Sequence, residues 1–118
     1  MAEQRLPKFV RCGDMSIAIK TIQYVCIEPE FSTLKFTNGD TLDITQDKAD
    51  ELKQSLKDRL DFICRNNVII AKSEVKLIVQ QADHIHITFL NGMTGKLTPG
   101  ADGSVETSFA YLHDELNA

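Results

Sequence analysis

At 118 residues, with 42% apolar and 25% charged residues, the chain has the size and composition of one soluble domain that buries a core without staples. Its net charge of −4 is uneven: residues 1–79 carry 12 Lys+Arg against 12 Asp+Glu, whereas residues 80–118 carry Lys96 alone against Asp83, Asp102, Glu106, Asp114 and Glu115. This excludes the acidic C-terminal third as a phosphate-binding face and places any nucleic-acid surface in the first two thirds.

No apolar run is long enough to span a bilayer, and residues 1–9 are too polar for a secretion signal, so no membrane partner and a cytoplasmic location are expected. The three cysteines, Cys12, Cys26 and Cys64, are odd in number and far apart, and no Cys-x-x-Cys occurs. They read as reduced, apolar fillers. Arg65 beside Cys64 is the one feature that would lower a thiol pKa.

Taken in chain order, Phe9-Val10 and residues 15–19 flank a Gly13-Asp14 turn and predict two short strands, with Ile17 and Ile19 on the buried face. Residues 22–27 are β-rich, with Ile22, Tyr24 and Cys26 directed one way and Gln23, Val25 and Ile27 the other. Pro29 breaks that run. Residues 31–37 alternate, with Leu34 and Phe36 inward and Thr33, Lys35 and Thr37 outward. Asn38-Gly39 is a strong hairpin signal, because both residues tolerate positive φ, and residues 41–44 return from it.

A helix then opens at residues 45–47, with Asp47 as N-cap and an apolar stripe of Ala49, Leu52, Leu56, Leu60 and Ile63. Residues 61–75 read as a basic, amide-rich connector. Beyond it, residues 75–79 form a strand, Ile85, Ile87 and Phe89 point inward on the next, and His84, His86 and Thr88 point outward. Asn91-Gly92 turns the chain into residues 93–98, residues 99–103 form a loop, and residues 105–116 form a second helix with Phe109, Leu112 and Leu116 inward.

The two halves repeat. Shifting the first by 53 residues places Ile22 on Val75, Val25 on Ile78, Leu34 on Ile87, Phe36 on Phe89 and Asn38-Gly39 on Asn91-Gly92. Two copies make a closed domain and not an open array. The expected architecture is a mainly β (α+β) domain over 1–118: a pseudo-duplicated, short-strand β sandwich with two small helices, its repeats spanning about 9–60 and 61–116.

Residues 22–31, Ile-Gln-Tyr-Val-Cys-Ile-Glu-Pro-Glu-Phe, and residues 62–71, Phe-Ile-Cys-Arg-Asn-Asn-Val-Ile-Ile-Ala, resemble two motifs of LytTR-type DNA-binding domains, in the right order and spacing. The Asn91-Gly92 turn adds a third point of similarity. The resemblance covers residues 9–116. It implies a bacterial, cytoplasmic transcription regulator whose inter-strand loops enter the major grooves of double-stranded DNA, with a homodimer on paired half-sites. The length leaves no room for a receiver or sensor domain, so a stand-alone form is expected.

Carried over position by position, the resemblance implies DNA contacts by Arg65, Asn66 and Asn67 in the connector, by Ser32 and Thr33 after Phe31, and added phosphate charge from Lys35 and Lys72. Arg can fork onto guanine and Asn onto adenine. The chain departs from the family in three places. Arg65 stands where a His is usual, Ala71 where an Asn is usual, and residues 99–103 hold Asp102 where a basic residue is frequent.

Two other readings stand beside it. One is a non-catalytic protein-interaction module on the same fold, using the acidic C-terminal third. The other is a metal protein or enzyme built on His84, His86 and His113; against it, the two strand histidines face solvent in this pattern. With no phosphate loop, Gly-x-Ser-x-Gly or carboxylate pair legible, neither catalytic residues nor a metal or cofactor is expected.

Overall fold

The computed structural model describes residues 8–65, 67–100 and 103–118. The chain begins with a hairpin of β1 (Phe9–Cys12) and β2 (Met15–Ala18), turned by Gly13 at a φ of +62°. A 3-10 turn, Ile19–Thr21, leads into β3 (Ile22–Cys26), β4 (Phe31–Phe36), β5 (Thr41–Thr45) and helix α1 (Gln46–Leu56). A second hairpin follows, β6 (Phe62–Arg65) and β7 (Val68–Ala71), then a 3-10 turn Lys72–Glu74, strands β8 (Val75–Gln80), β9 (Ile85–Phe89) and β10 (Thr94–Leu97), and helix α2 (Val105–Leu116).

The middle layer is a five-stranded antiparallel sheet in the order β5-β4-β3-β7-β6. Side chains alternate across it, as a pleated strand requires. Phe62, Ile69 and Ala71 join Leu34, Ile44 and the α1 residues Ala49, Leu52 and Leu56 in one core, shared with Val10, Cys12 and Ile17 of the first hairpin. Ile63, Val68 and Ile70 face the other way, with Tyr24, into a second core. That core is closed by Ile85, Ile87, Phe89 and Leu97 of an outer three-stranded sheet, β10-β9-β8, and by Leu112 of α2. The central sheet is therefore covered on both faces.

Elements of the two halves start 53 residues apart from the first hairpin onward: β1 and β6, β2 and β7, the two 3-10 turns, and β3 and β8; the helices α1 and α2 start 59 apart. Details repeat as well. β3 bulges between Ile22 and Tyr24 against β4, and β8 bulges between Val75 and Leu77 against β9. The Phe36 N–H bonds the Asp40 carbonyl and the Phe89 N–H the Met93 carbonyl, both at 2.9 Å. Gly39 and Gly92 adopt φ of +94° and +88°.

Several expectations are corrected. The connector is a β-hairpin, and β7 is an interior strand. The β3 bulge breaks the expected alternation, so Ile22 and Val25 join the first core while Tyr24 joins the second. Thr45 and not Asp47 occupies the N-cap position of helix α1, without a side-chain capping bond, and the helix stops at Leu56. Leu60 is 89% exposed, and Ile63 lies on β6. The chain must leave the helix there to reach the second hairpin; Arg59 forks onto Asp61 at 2.9 and 2.8 Å in that link, with its side chain against the Phe62 ring. Phe36 is half-buried at the rim of the first core.

Candidate nucleic-acid interface

The ladder of the central sheet decides which candidate residues can act together. Cys26 on β3 pairs with Thr33 of β4 on one side and with Val68 of β7 on the other. The β3–β4 loop and the β6–β7 turn therefore emerge at the same end of the sheet, two strand spacings or about 10 Å apart. The Ile27 N–H donates to the Asn67 carbonyl at 2.7 Å and ties the two segments together.

Arg65 ends β6 and faces the second core. Its guanidinium lies over the Tyr111 ring of α2, 3.9 Å from the centroid, so helix and hairpin fix each other by cation–π stacking. Arg65 Nε and Asn67 Oδ1 are both buried and have no hydrogen-bond partner. Asn66 lies outside the described residues. So does Asp102 of the 99–103 loop.

Thr33 is half-buried, and its hydroxyl donates to Asp43 Oδ1 at 3.4 Å. Ser32 points the opposite way. It is 0% exposed and its Oγ accepts from the Glu28 N–H at 3.4 Å, so it shapes the β3–β4 loop from inside. Lys35 sits two residues further along β4, about 7 Å from Thr33. Its ammonium donates to the Thr94 carbonyl at 3.0 Å and lies 5.6 Å from the Tyr24 ring centroid. Lys72 follows β7 at the opposite end of the hairpin, about 13 Å along the strand from Val68.

The structure thus brings together Thr33, Arg65 and Asn67 at one end of the sheet, sets Lys35 on its flank, turns Ser32 inward and separates Lys72. The same end carries Glu28 and Glu30 in the β3–β4 loop and Asp43 on β5. Tyr111 was not legible as a partner of Arg65, because nothing local links residues so far apart in sequence. The inward turn of Ser32 was legible: it shares the parity of Leu34, which faces the first core.

Burial pushes the Cys64 thiol up to about 11, outweighing the nearby Lys53, so the activated thiol that Arg65 suggested is not present. Burial also pushes the Cys26 and Cys12 thiols up. His84 Nδ1 sits 2.6 Å from Asp83 Oδ1, and this bond holds the Asp83 carboxyl below its usual range. Among the described residues no group of three His, Cys, Asp or Glu could hold a metal ion. A cavity of about 700 Å³ lies against Phe9, Lys20, Arg59, Phe62 and Glu74, and none of the candidate residues lines it. No helix is long and apolar enough to cross a membrane among the described residues.

No family profile matches the sequence, and neither does a curated protein. The fold, however, has a solved counterpart. It is the LytTR DNA-binding domain of a Bacillus cereus protein described as a methyl-accepting/DNA response regulator, at a TM-score of 0.61 and 12% identity, over 93% of this chain and 95% of that one. This chain has the LytTR fold. The overlap is nearly end to end, so the likeness is to the fold of the whole solved domain and not to a fragment of it.

Proposed function

We propose that the protein is a sequence-specific DNA-binding transcription regulator that presents the β6–β7 turn and the β3–β4 loop to the major groove of double-stranded DNA, as two copies on paired half-sites. The observation that carries this reading is the convergence, on one end of a LytTR-fold sheet, of a stacked arginine and a turn asparagine. Arg65 supplies a planar donor fork suited to guanine, and Asn66 and Asn67 supply the amide pattern suited to adenine. Thr33 reaches phosphate or a base edge. Lys35 adds positive charge on the flank, Lys72 stands apart at the far end of the hairpin, and Ser32 holds the β3–β4 loop. Buried polar atoms without partners are rare and costly. Among the described residues four such side-chain atoms occur, two on Gln23 and two, Arg65 Nε and Asn67 Oδ1, around this turn, which supports a turn whose polar groups are kept for contact.

The reading involves no catalytic step and no cofactor. It is tested by selection from a random duplex pool at near-physiological salt, with the Arg65→Ala/Asn66→Ala double variant alongside. Enrichment of one motif, lost in the folded variant, supports direct readout.

A second reading is favoured by Glu28, Glu30 and Asp43, which set carboxylates beside the same end. It is a protein-interaction module on this fold, with the acidic C-terminal third as a further surface. No enriched motif from folded protein would sink the first reading in favour of this one.

A further inference from the structure

The correspondence between the halves leaves one position unfilled. β3 pairs with β4 on one side and with β7 on the other, through Tyr24↔Ile70, Val25↔Ile69 and Cys26↔Val68. β7 is the second strand of the following repeat. Among the described residues β8, the counterpart of β3, pairs with β9 alone and forms the outer edge of its sheet. Among them β2, the counterpart of β7, pairs with β1 alone. Each end of the chain therefore carries half of the junction that joins the two halves in the middle.

The side chains agree with this placement. On β8, Leu77 and Val79 are 51% and 36% exposed. An apolar edge strand is a template for another chain. The internal ladder selects between the available partners. β2 carries the counterparts of the β7 residues that pair with β3, whereas a second β8 does not.

We infer that the β8 edge is a docking site for β2 of a second copy of this chain, in the register of the internal β3–β7 ladder. Leu77 then faces Ile17, Ile78 faces Ser16 and Val79 faces Met15 of the next copy. The contact is heterologous, so each copy keeps one unused edge and association continues head to tail. It requires no DNA and does not rest on the DNA-binding reading.

The test is sedimentation equilibrium of the full chain from micromolar to millimolar concentration, without DNA. Two variants accompany the wild type: Leu77→Lys/Val79→Lys, which spoils the β8 edge, and Met15→Lys, which sets a charge against Val79 of the next copy. Melting curves confirm that both remain folded. The wild type should grow in mass with concentration, past the dimer. Each variant alone should stay monomeric. An equimolar mixture of the two should form a dimer and stop there, because it contains one intact β8 edge facing one intact β2 edge. A wild type that is monomeric throughout overturns the inference. So does a Met15→Lys variant that self-associates as the wild type does, since that is the behaviour of β8 edges pairing with each other.

Discussion

Tyr24 is the residue on which the central and outer sheets meet. Its hydroxyl donates to the Lys96 carbonyl at 2.7 Å and accepts from the Lys96 N–H at 3.0 Å, and its ring lies 5.5 Å from Phe89. Gly95 permits this approach, because a Cβ there would fall 2.9 Å from the Tyr24 ring. Tyr24→Phe leaves both Lys96 backbone groups without a partner and should cost about 1–3 kcal/mol. Gly95→Ala forces the sheets apart and should cost about 1–3 kcal/mol as well. Urea denaturation checks both. Burial holds the Tyr24 hydroxyl well above its ordinary pKa. The unfolded chain ionises this group near about pH 10 and the folded chain does not. Above that pH the unfolded state binds fewer protons, so stability should fall as pH rises. Below it Tyr24 contributes no pH dependence. Tyr24→Phe should lessen the alkaline loss, which thermal melts across pH 9–11.5 would reveal.

Arg65 poses the corresponding question for function. Arg65→Ala should weaken DNA binding by about 1–3 kcal/mol and relax preference at one base position. Tyr111→Leu keeps the arginine but removes the face on which it stacks. The expected outcome is weaker binding with the base preference intact, measured by fluorescence anisotropy on matched and single-mismatch duplexes. An Arg65→Ala loss of equal size on every sequence would assign this arginine to phosphate instead.

At the scale of elements, the second half of α1 and the second hairpin show what local sequence can and cannot convey. The Asn-Gly turns were legible because positive φ is a property of the residue itself. The boundaries of α2 were legible too, and Ser104 caps it by accepting from the Thr107 N–H at 3.1 Å. The end of α1 was not, since Leu60 continues the helical stripe and only the tertiary path of the chain decides otherwise. The β6–β7 hairpin was not legible, because its segment is basic and amide-rich around the turn and β7 is a continuous apolar run without alternation, as a buried interior strand is. The bulge at Gln23 leaves no mark in residue type. These differences make a direct test. Leu56→Ala should cost about 2–5 kcal/mol, whereas Leu60→Lys should stay within about 0.5 kcal/mol of the wild type. A large loss from Leu60→Lys would place the helix end further along the chain.

At the scale of the molecule, few cations are available for phosphate. If Lys35, Arg65 and Lys72 each neutralise one phosphate, the logarithm of the DNA affinity should fall with the logarithm of salt at a slope of no more than about −3. Specificity would then rest on base contacts, a balance suited to an acidic protein. Repetition raises a separate question, whether either half is a folding unit. The sheet topology argues that neither is. Cutting the chain after residue 60 removes β7 from β3 and takes Phe62, Ile69 and Ala71 from the first core. It also takes Tyr24 out of the second core and leaves Phe62, Ile69 and Ala71 uncovered in the other fragment. Each such side chain is worth about 1.5–3 kcal/mol when buried, and several are lost at once. The total is comparable with the 5–15 kcal/mol or so that holds a typical domain together. Fragments 1–60 and 61–118 should each lack a cooperative melt by circular dichroism, and mixing them should restore one by re-forming the β3–β7 ladder. A first fragment that melts cooperatively alone would mean that the junction between the halves is an interface between finished units, not the seam that completes both cores.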